Sequence, residues 1–298
     1  MTTAEGVKEA FDFLMDQLPM TPIQKSSTLN GMVGCEVLFK AEHLQKTGSF
    51  KARGALFNVH RLKEQGIKGV ITHSSGNHGQ AVAWAAKKNG LACTVVVPRG
   101  APEAKAWNIQ FQLKSGSREG DCARLSMERS QTIIEPSDGD GTICGQGTVG
   151  EELKIQLGED IPALSVGGGG LAGGLALVLP NTKLYLVEPE GKQLAEQLNV
   201  THDGDCSALK TVADGIRIRR VSQTNRRILN VHGNTEIVTV IRAALILIWT
   251  RMKQHVEPTA AVAFAGLRKV VAATPDNIPF KKAVVILCGG NVGHSFVP

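Results

Sequence analysis

The chain has 298 residues, of which 42% are apolar and only 4% aromatic, and carries a formal net charge of +6. That length suits two ordinary domains or one large one, and this balance of hydrophobicity and charge excludes a disordered chain. The densest basic group, Arg217, Arg219, Arg220, Arg226 and Arg227, reads as solvated surface; with so few aromatic platforms for stacking bases, no nucleic-acid partner is expected.

The chain begins Met1-Thr2-Thr3-Ala4-Glu5, with no apolar signal-peptide core. Its first strand-like run, Glu36–Lys40, precedes Thr47-Gly48-Ser49-Phe50-Lys51-Ala52-Arg53-Gly54-Ala55, where a Gly/Ser-flanked turn opens a helix. A lysine at that position is placed to hold a carbonyl cofactor as a Schiff base, although by itself it equally reads as a solvated helix-start lysine. Val70–Thr72 runs into Ser74-Ser75-Gly76-Asn77-His78-Gly79-Gln80 and a helix-like stretch, Gln80–Lys88. Strand-like Cys93–Val97 and Thr132–Ile134 follow. The stretch from Glu135 to Gly147, with Pro136, Ser137, Gly139, Gly141 and Gly145, is the expected crossing between domains. After helix-like Gly150–Leu157, Ala163–Val166 leads into Gly167-Gly168-Gly169-Gly170-Leu171 and a helix-like run to Leu179. Lys183–Val187, Glu236–Val240 and Ala283–Leu287 complete the strands, the last running into Cys288-Gly289-Gly290-Asn291. Nearly all-apolar strands alternating with helices predict an α/β protein with parallel sheets covered on both faces. The longest apolar run, Ala243 to Trp249, is seven residues, too short to span a bilayer, so no membrane partner is expected. Six scattered cysteines fit neither a zinc site nor a disulfide framework, and the expected location is cytoplasmic.

Three glycine-bearing loops fall at carboxyl ends of strands, where open α/β sheets bind ligands, and three loops on one rim imply one pocket. Gly167–Gly170 lets backbone N–H groups close around an anion at a helix N-terminus. The spacing Gly168-x-Gly170-x-x-Gly173, with Glu188 placed 18 residues after Gly170, also satisfies a dinucleotide fingerprint and leaves a nicotinamide-dependent oxidoreductase as a distant alternative. That alternative leaves Lys51 and the other two loops unexplained. Ser74–Gly79 could offer N–H groups to a carboxylate or simply cap a helix. Cys288 reads either as a small buried hydrophobe or as a weak, uncharged partner for a ring nitrogen.

Taken in order, these segments resemble the pyridoxal-phosphate enzymes of the threonine dehydratase and serine racemase family. The resemblance runs from about Thr21-Pro22 to Asn291 and includes Lys46-Thr47-Gly48-Ser49-Phe50-Lys51, Ser74–Gln80, Val97-Pro98, Ala101-Pro102-Glu103-Ala104-Lys105, Gly145-Gln146-Gly147-Thr148, Val187-Glu188-Pro189, Ala213-Asp214-Gly215, Val256-Glu257-Pro258-Thr259-Ala260 and Gly289-Gly290-Asn291. It implies the fold-type II architecture: two open twisted parallel-sheet domains of the tryptophan synthase β kind, 1–68 with 140–298 forming the large cofactor-binding domain and 69–139 a smaller, abbreviated one. It further implies pyridoxal 5'-phosphate as cofactor, a small hydroxyamino-acid substrate and a homodimer. Lys51 would carry the cofactor and move the substrate proton, with Ser75 as acid/base on the opposite face. Phe50 would pack on the ring, Asn77 would bond its phenolic oxygen, Gly167, Gly168, Gly169, Gly170 and Leu171 would hold the phosphate, and Cys288 would face the ring nitrogen. Ser74, Ser75, Asn77 and His78 would receive the substrate carboxylate, and Arg118 would lie near the substrate hydroxyl. The implied activity is elimination of water from serine or threonine to a 2-oxo acid and ammonia; serine racemisation at the same site, or a catalytically impaired relative, are the alternatives.

The chain departs from the family pattern in places. Between Ile109-Gln110 and Ser117-Arg118 only Phe111–Gly116 remain, where relatives carry a longer segment with a sheet strand; the strand is expected to be missing. Glu135-Pro136 stands where His-Pro is common. The divalent-cation site that racemases build after Val-Glu-Pro is matched only at Glu188, with Lys192 and Leu194 at the positions of the remaining ligands, so no metal is assigned.

Overall fold

The computed structural model describes residues 1–74, 76–98, 112–115, 118–167, 169–199, 209–218, 220–240, 244–293 and 296. Helix α1 (Ala4–Leu14), capped by the Thr3 hydroxyl, precedes strand β1 (Ile23–Lys25), helix α2 (Ser27–Val33), strand β2 (Glu36–Lys40) and helix α3 (Lys51–Glu64). Next come β3 (Gly69–His73), α4 (Asn77–Asn89), β4 (Ala92–Pro98), β5 (Gln112–Ser115), α5 (Arg118–Arg129) and β6 (Thr132–Ile133). Helix α6 (Asp140–Leu157) leads to β7 (Ala163–Gly167), α7 (Gly170–Val178), β8 (Lys183–Pro189), α8 (Leu194–Asn199), α9 (Gln223–His232), β9 (Thr235–Val240), α10 (Pro258–Ala273) and β10 (Lys282–Ile286).

The strands form two sheets, one of order β1-β2-β10-β7-β8-β9 and one of order β5-β4-β3-β6. All pairs are parallel except β1 with β2. Burial on both faces of the larger sheet explains its continuous apolar strands. In β10, Val284 and Ile286 pack into the layer with α1, α6 and α7, while Ala283 and Val285 pack into the opposite layer with α2 and α10. A strand's side chains alternate between faces, so a run apolar at every position requires cover on both. Among the described residues, no helix is long and apolar enough to cross a membrane.

Two local expectations change. Only the first part of the stretch Glu135 to Gly147, expected as a crossing, is irregular, because α6 begins at Asp140. The glycines inside that helix serve close packing: a Cβ on Gly145 would lie 2.5 Å from Gly54 Cα, and one on Gly147 would lie 2.8 Å from the Gly174 carbonyl. Helix glycines of this kind resemble turn glycines in a sequence, and only the contact separates them. Secondly, the shortened segment before Arg118 keeps its strand: β5 pairs with β4 through Val95↔Gln112 to Pro98↔Ser115. It is an edge strand, where polar residues are tolerated and the apolar signature of a central strand is not required. One further strand lies outside the runs named from sequence: β1 is a three-residue antiparallel edge, too short to carry a period.

A buried charge network joins β2, α3 and α6. Arg53 grips Glu42 through Nε and Nη2, each at 2.8 Å, and reaches Glu152 through Nη1 at 2.7 Å. Lys40 Nζ donates to Glu152, to Gln156 at 2.8 Å and to the Thr21 carbonyl at 2.8 Å. Lys40, Glu42 and Arg53 are at most 1% exposed, so the two cations and two carboxylates neutralise one another away from water. Burial alone would raise the Glu42 carboxyl, but the Arg53 guanidinium holds it below its ordinary range. Arg53→Met should therefore strand two carboxylates with one lysine and destabilise the fold by about 3–5 kcal/mol. Chemical or thermal denaturation checks this, and a loss under about 1 kcal/mol would show the network to be dispensable.

Candidate active site

The carboxyl ends of β3, β7 and β10 open onto one cavity of about 520 Å³, lined from both sheets. Phe50, Lys51, Ser74, Asn77, His78, Gly169, Gly170, Leu171 and Cys288 all contribute to its wall. The amine early in the chain and the distant glycine loop therefore do face a common space.

Lys51 is the first residue of α3, and the segment before it is stitched to the last strand's exit. Ser49 bridges Gly289, the Phe50 N–H donates to the Cys288 carbonyl at 3.2 Å, and the Gly290 N–H donates to the Gly48 carbonyl at 2.9 Å. The Lys51 Nζ donates to the Pro136 carbonyl and stands 5.0 Å from the Phe50 ring centroid. Burial lowers its pKa to about 8, against the opposing pull of Cys288 and Glu257. A larger fraction of free amine near neutral pH results, as a nucleophilic lysine requires.

The glycine loop supplies the other end. Gly169 caps α7 at φ 135°, a conformation that side chains rarely adopt, and a Cβ there would meet no atom within 4 Å. The N-terminus of α7 thus presents backbone to open cavity, with its first N–H groups free of intrahelical partners, a favourable seat for an anion. Gly170 is glycine for a second reason, since a Cβ would lie 2.8 Å from the Ser137 carbonyl. Gly173, the last glycine of the dinucleotide spacing, packs against Asn225 instead. Glu188 is 5% exposed, and its carboxylate accepts the Leu194 N–H at 2.7 Å and the Thr239 hydroxyl at 3.0 Å. Both of its oxygens are thus engaged within the fold, which disfavours the ribose contact that the nicotinamide alternative needs.

On the third loop, Ser74 Oγ accepts the Gly76 N–H at 3.2 Å, and Gly76 rather than an asparagine or serine caps α4. Asn77 reaches across the cavity: its Nδ2 donates to Glu257 at 2.9 and 3.1 Å, and its Oδ1 accepts from Asn291 at 2.8 Å. His78 is buried, with Nε2 against the Ile134 carbonyl at 3.2 Å. A carbonyl only accepts, so Nε2 carries the proton. Burial and then Lys51 push the ring pKa down to about 3, leaving it uncharged. His78 lines the cavity at the head of α4. Ser75 and Gly168 lie outside the described residues, as does the side chain of Arg118, the first residue of α5.

Cys288 lies at the end of β10's exit, and burial, reinforced by Glu257, raises its thiol well above the ordinary range. It is a neutral group. Glu257 was not assigned a role from sequence, although it was visible as a carboxylate before Pro258, the first residue of α10. It is 1% exposed and holds Asn77. Pro136 acts only through its carbonyl, which leaves no side-chain signal. Lys192, 4% exposed, also lines the cavity and donates to the Ile216 carbonyl at 3.0 Å; burial lowers its pKa to about 8. The arginine cluster is not simply solvated surface. Arg226 is buried and donates to the Val221 carbonyl at 2.9 Å, while Arg217 and Arg220 border the cavity. A helix turn inward at Ser222, which caps α9, separates residues that adjoin in sequence.

An enclosed amine at one side, an anion seat at a helix N-terminus, apolar walls from Val166, Leu171 and Ile286, and a neutral thiol fit an aromatic aldehyde that bears a phosphate. Comparison with known proteins agrees. The family model described as "Pyridoxal-phosphate dependent enzyme" matches residues 14–289. The serine racemase of Dictyostelium discoideum is 36% identical, over 99% of this chain and 96% of its own length. The beta-hydroxyaspartate dehydratase of Paracoccus denitrificans is 33% identical, over 99% and 98%. A pyridoxal 5'-phosphate-dependent aspartate racemase superposes with a TM-score of 0.88 at 35% identity, covering 98% of this chain and 96% of that one. With this match to nearly its whole length, the chain belongs to the fold-type II pyridoxal-phosphate dependent enzymes, and pyridoxal phosphate is its cofactor.

Proposed function

We propose that the enzyme eliminates water from a small hydroxyamino acid, serine or threonine, to give a 2-oxo acid and ammonia. Racemisation of serine at the same site is the second reading. The observation that carries the proposal is the shared cavity of the Lys51 amine and the head of α7, with the head of α4 between the same walls. Relatives named as a racemase and as a dehydratase support both readings. Each reaction begins with loss of the Cα proton, and the two part only at the next step, reprotonation or loss of the β-hydroxyl.

Once bound, pyridoxal phosphate supplies an electron sink for charge at the substrate Cα. In the proposed roles, Gly167, Gly168, Gly169, Gly170 and Leu171 take its phosphate and Phe50 packs against its ring. Lys51 would hold its aldehyde carbon, and its free amine would be the base for the substrate Cα proton. Cys288 would face the ring nitrogen, and a neutral thiol there would favour a moderate sink, suited to prompt loss of the β-hydroxyl. Ser74, Ser75, Asn77 and His78 receive the substrate carboxylate at the head of α4, His78 through its N–H. Arg118 is assigned to the substrate hydroxyl, and Ser75 to reprotonation from the opposite face in the racemase reading.

Two domains, 1–68 with 140–298 and 69–139, belong to the same proposal. In its favour, every strand of the four-stranded sheet lies within the second range. A homodimer in the cytoplasm is proposed from the family alone; sedimentation of the purified protein measures the former.

Lys51→Ala should abolish the borohydride-bleachable yellow colour of the holoenzyme and lower turnover of L-serine or L-threonine by about 10²–10⁴-fold or more. Persistence of both colour and turnover would refute the lysine assignment. Ser75→Ala should suppress racemisation and use of D-serine while leaving part of L-serine elimination, followed by 2-oxo acid release and chiral chromatography; equal loss of the two would count against two bases. A third outcome concerns pH. The free amine is the form that captures an aldehyde and is populated above its pKa, so capture of added cofactor should accelerate as pH rises and level off above about 8. A midpoint near the ordinary lysine value of about 10.4 would place Nζ in water.

A further inference from the structure

A divalent-cation site beneath Glu188 is what the racemase-like motif implies, and the residues here do not fit one. Glu188 spends one carboxylate oxygen on the Leu194 N–H and the other on the Thr239 hydroxyl. Leu194 is fully buried among apolar neighbours. Four residues from Glu188, Lys192 sends its side chain inward to the Ile216 carbonyl at 3.0 Å, close enough for Glu188 to attract its charge. Among the described residues, no group of three or more His, Cys, Asp or Glu could hold a metal ion. A hard cation needs several oxygen ligands, and an ammonium beside them repels it.

We propose that the Lys192 ammonium is a built-in cation that takes the place of a bound metal and makes the enzyme independent of divalent ions. Lys192 is a positioning residue in this account. Its bond joins the turn after β8 to the turn Asp214–Ile216, whose residues wall the cavity. That second turn is tied to the first turn of α10 by the Gly215 N–H on Thr259 Oγ1 at 3.0 Å. Two residues earlier, Glu257 holds Asn77. One covalently supplied charge thereby supports a chain of contacts from the sheet's end to the cofactor cavity, and no ion can dissociate from it.

The test uses holoenzyme with EDTA and then with MgCl₂, following turnover and melting temperature together. Neither should move on chelation. A fall in either with EDTA that Mg²⁺ restores would overturn the proposal. Lys192→Ala should retain borohydride-fixed cofactor but lose kcat about tenfold or more, a loss typical of residues that orient a site from outside. Added methylammonium should recover part of that activity, and Lys192→Arg should keep a larger share than Lys192→Ala. Undiminished kcat in Lys192→Ala would also overturn it. If the alanine variant does not fold, the chelation arm on the wild type still decides. If no hydroxyamino acid is turned over, the substrate reading fails separately, and melting of the coloured holoenzyme with and without Mg²⁺ still tests the built-in cation.

Discussion

The position of Lys51 rests on a charge cluster that does not line the cavity. Arg53 is two residues after Lys51 on α3, and its bidentate grip on Glu42 and contact with Glu152 lock that helix against β2 and α6. Charges so deeply buried contribute little net stability as a balanced group, yet each is costly to leave alone. Such a cluster tolerates one arrangement and penalises every other, so it fixes the rotation and depth of α3. The packing agrees: Gly145 and Gly54 allow α6 and α3 to approach to backbone contact, at a distance no larger residue would permit.

From that anchored helix start, a second device carries the geometry across the cleft. The loop Cys288 to Asn291 bonds Phe50, Gly48, Glu257 and Asn77 through main-chain and side-chain groups. The loops after β3 and β10 and the start of α3 are thus one hydrogen-bonded unit rather than separate neighbours. Rigid support of this kind is what a cofactor site requires, because small displacements of a reacting group cost large factors in rate.

The same enclosure sets the electrostatics. Burial drives the Lys51 pKa down and the Cys288 thiol up and keeps His78 uncharged. All three shifts favour neutral groups, as removal of water must. Burial also lowers the pKa of Lys192, the other lysine lining the cavity, to about 8, against the attraction of Glu188. The two amines differ in what they bond, the Pro136 carbonyl for Lys51 and the Ile216 carbonyl for Lys192.

Much of the fold and the cofactor site was legible in the amino-acid sequence because the signals are local. Nearly all-apolar runs in β2, β7, β8 and β10 announce strands covered on both faces, and glycines just after strands announce loops at the rim where such sheets form pockets. The tertiary structure alone decided which residues serve these features from a distance. Glu257 is a carboxylate like any other until its partner, Asn77, arrives from 180 positions away. The Pro136 carbonyl has no sequence signature, and the glycines of α6 look like those of a turn until Gly54 is seen against them. Lys192 is an ordinary lysine in the sequence and a buried cation in the fold. Local pattern determines which segments become strands, helices and loops; long-range burial determines the charge, partners and purpose of a side chain, because those depend on what replaces water around it.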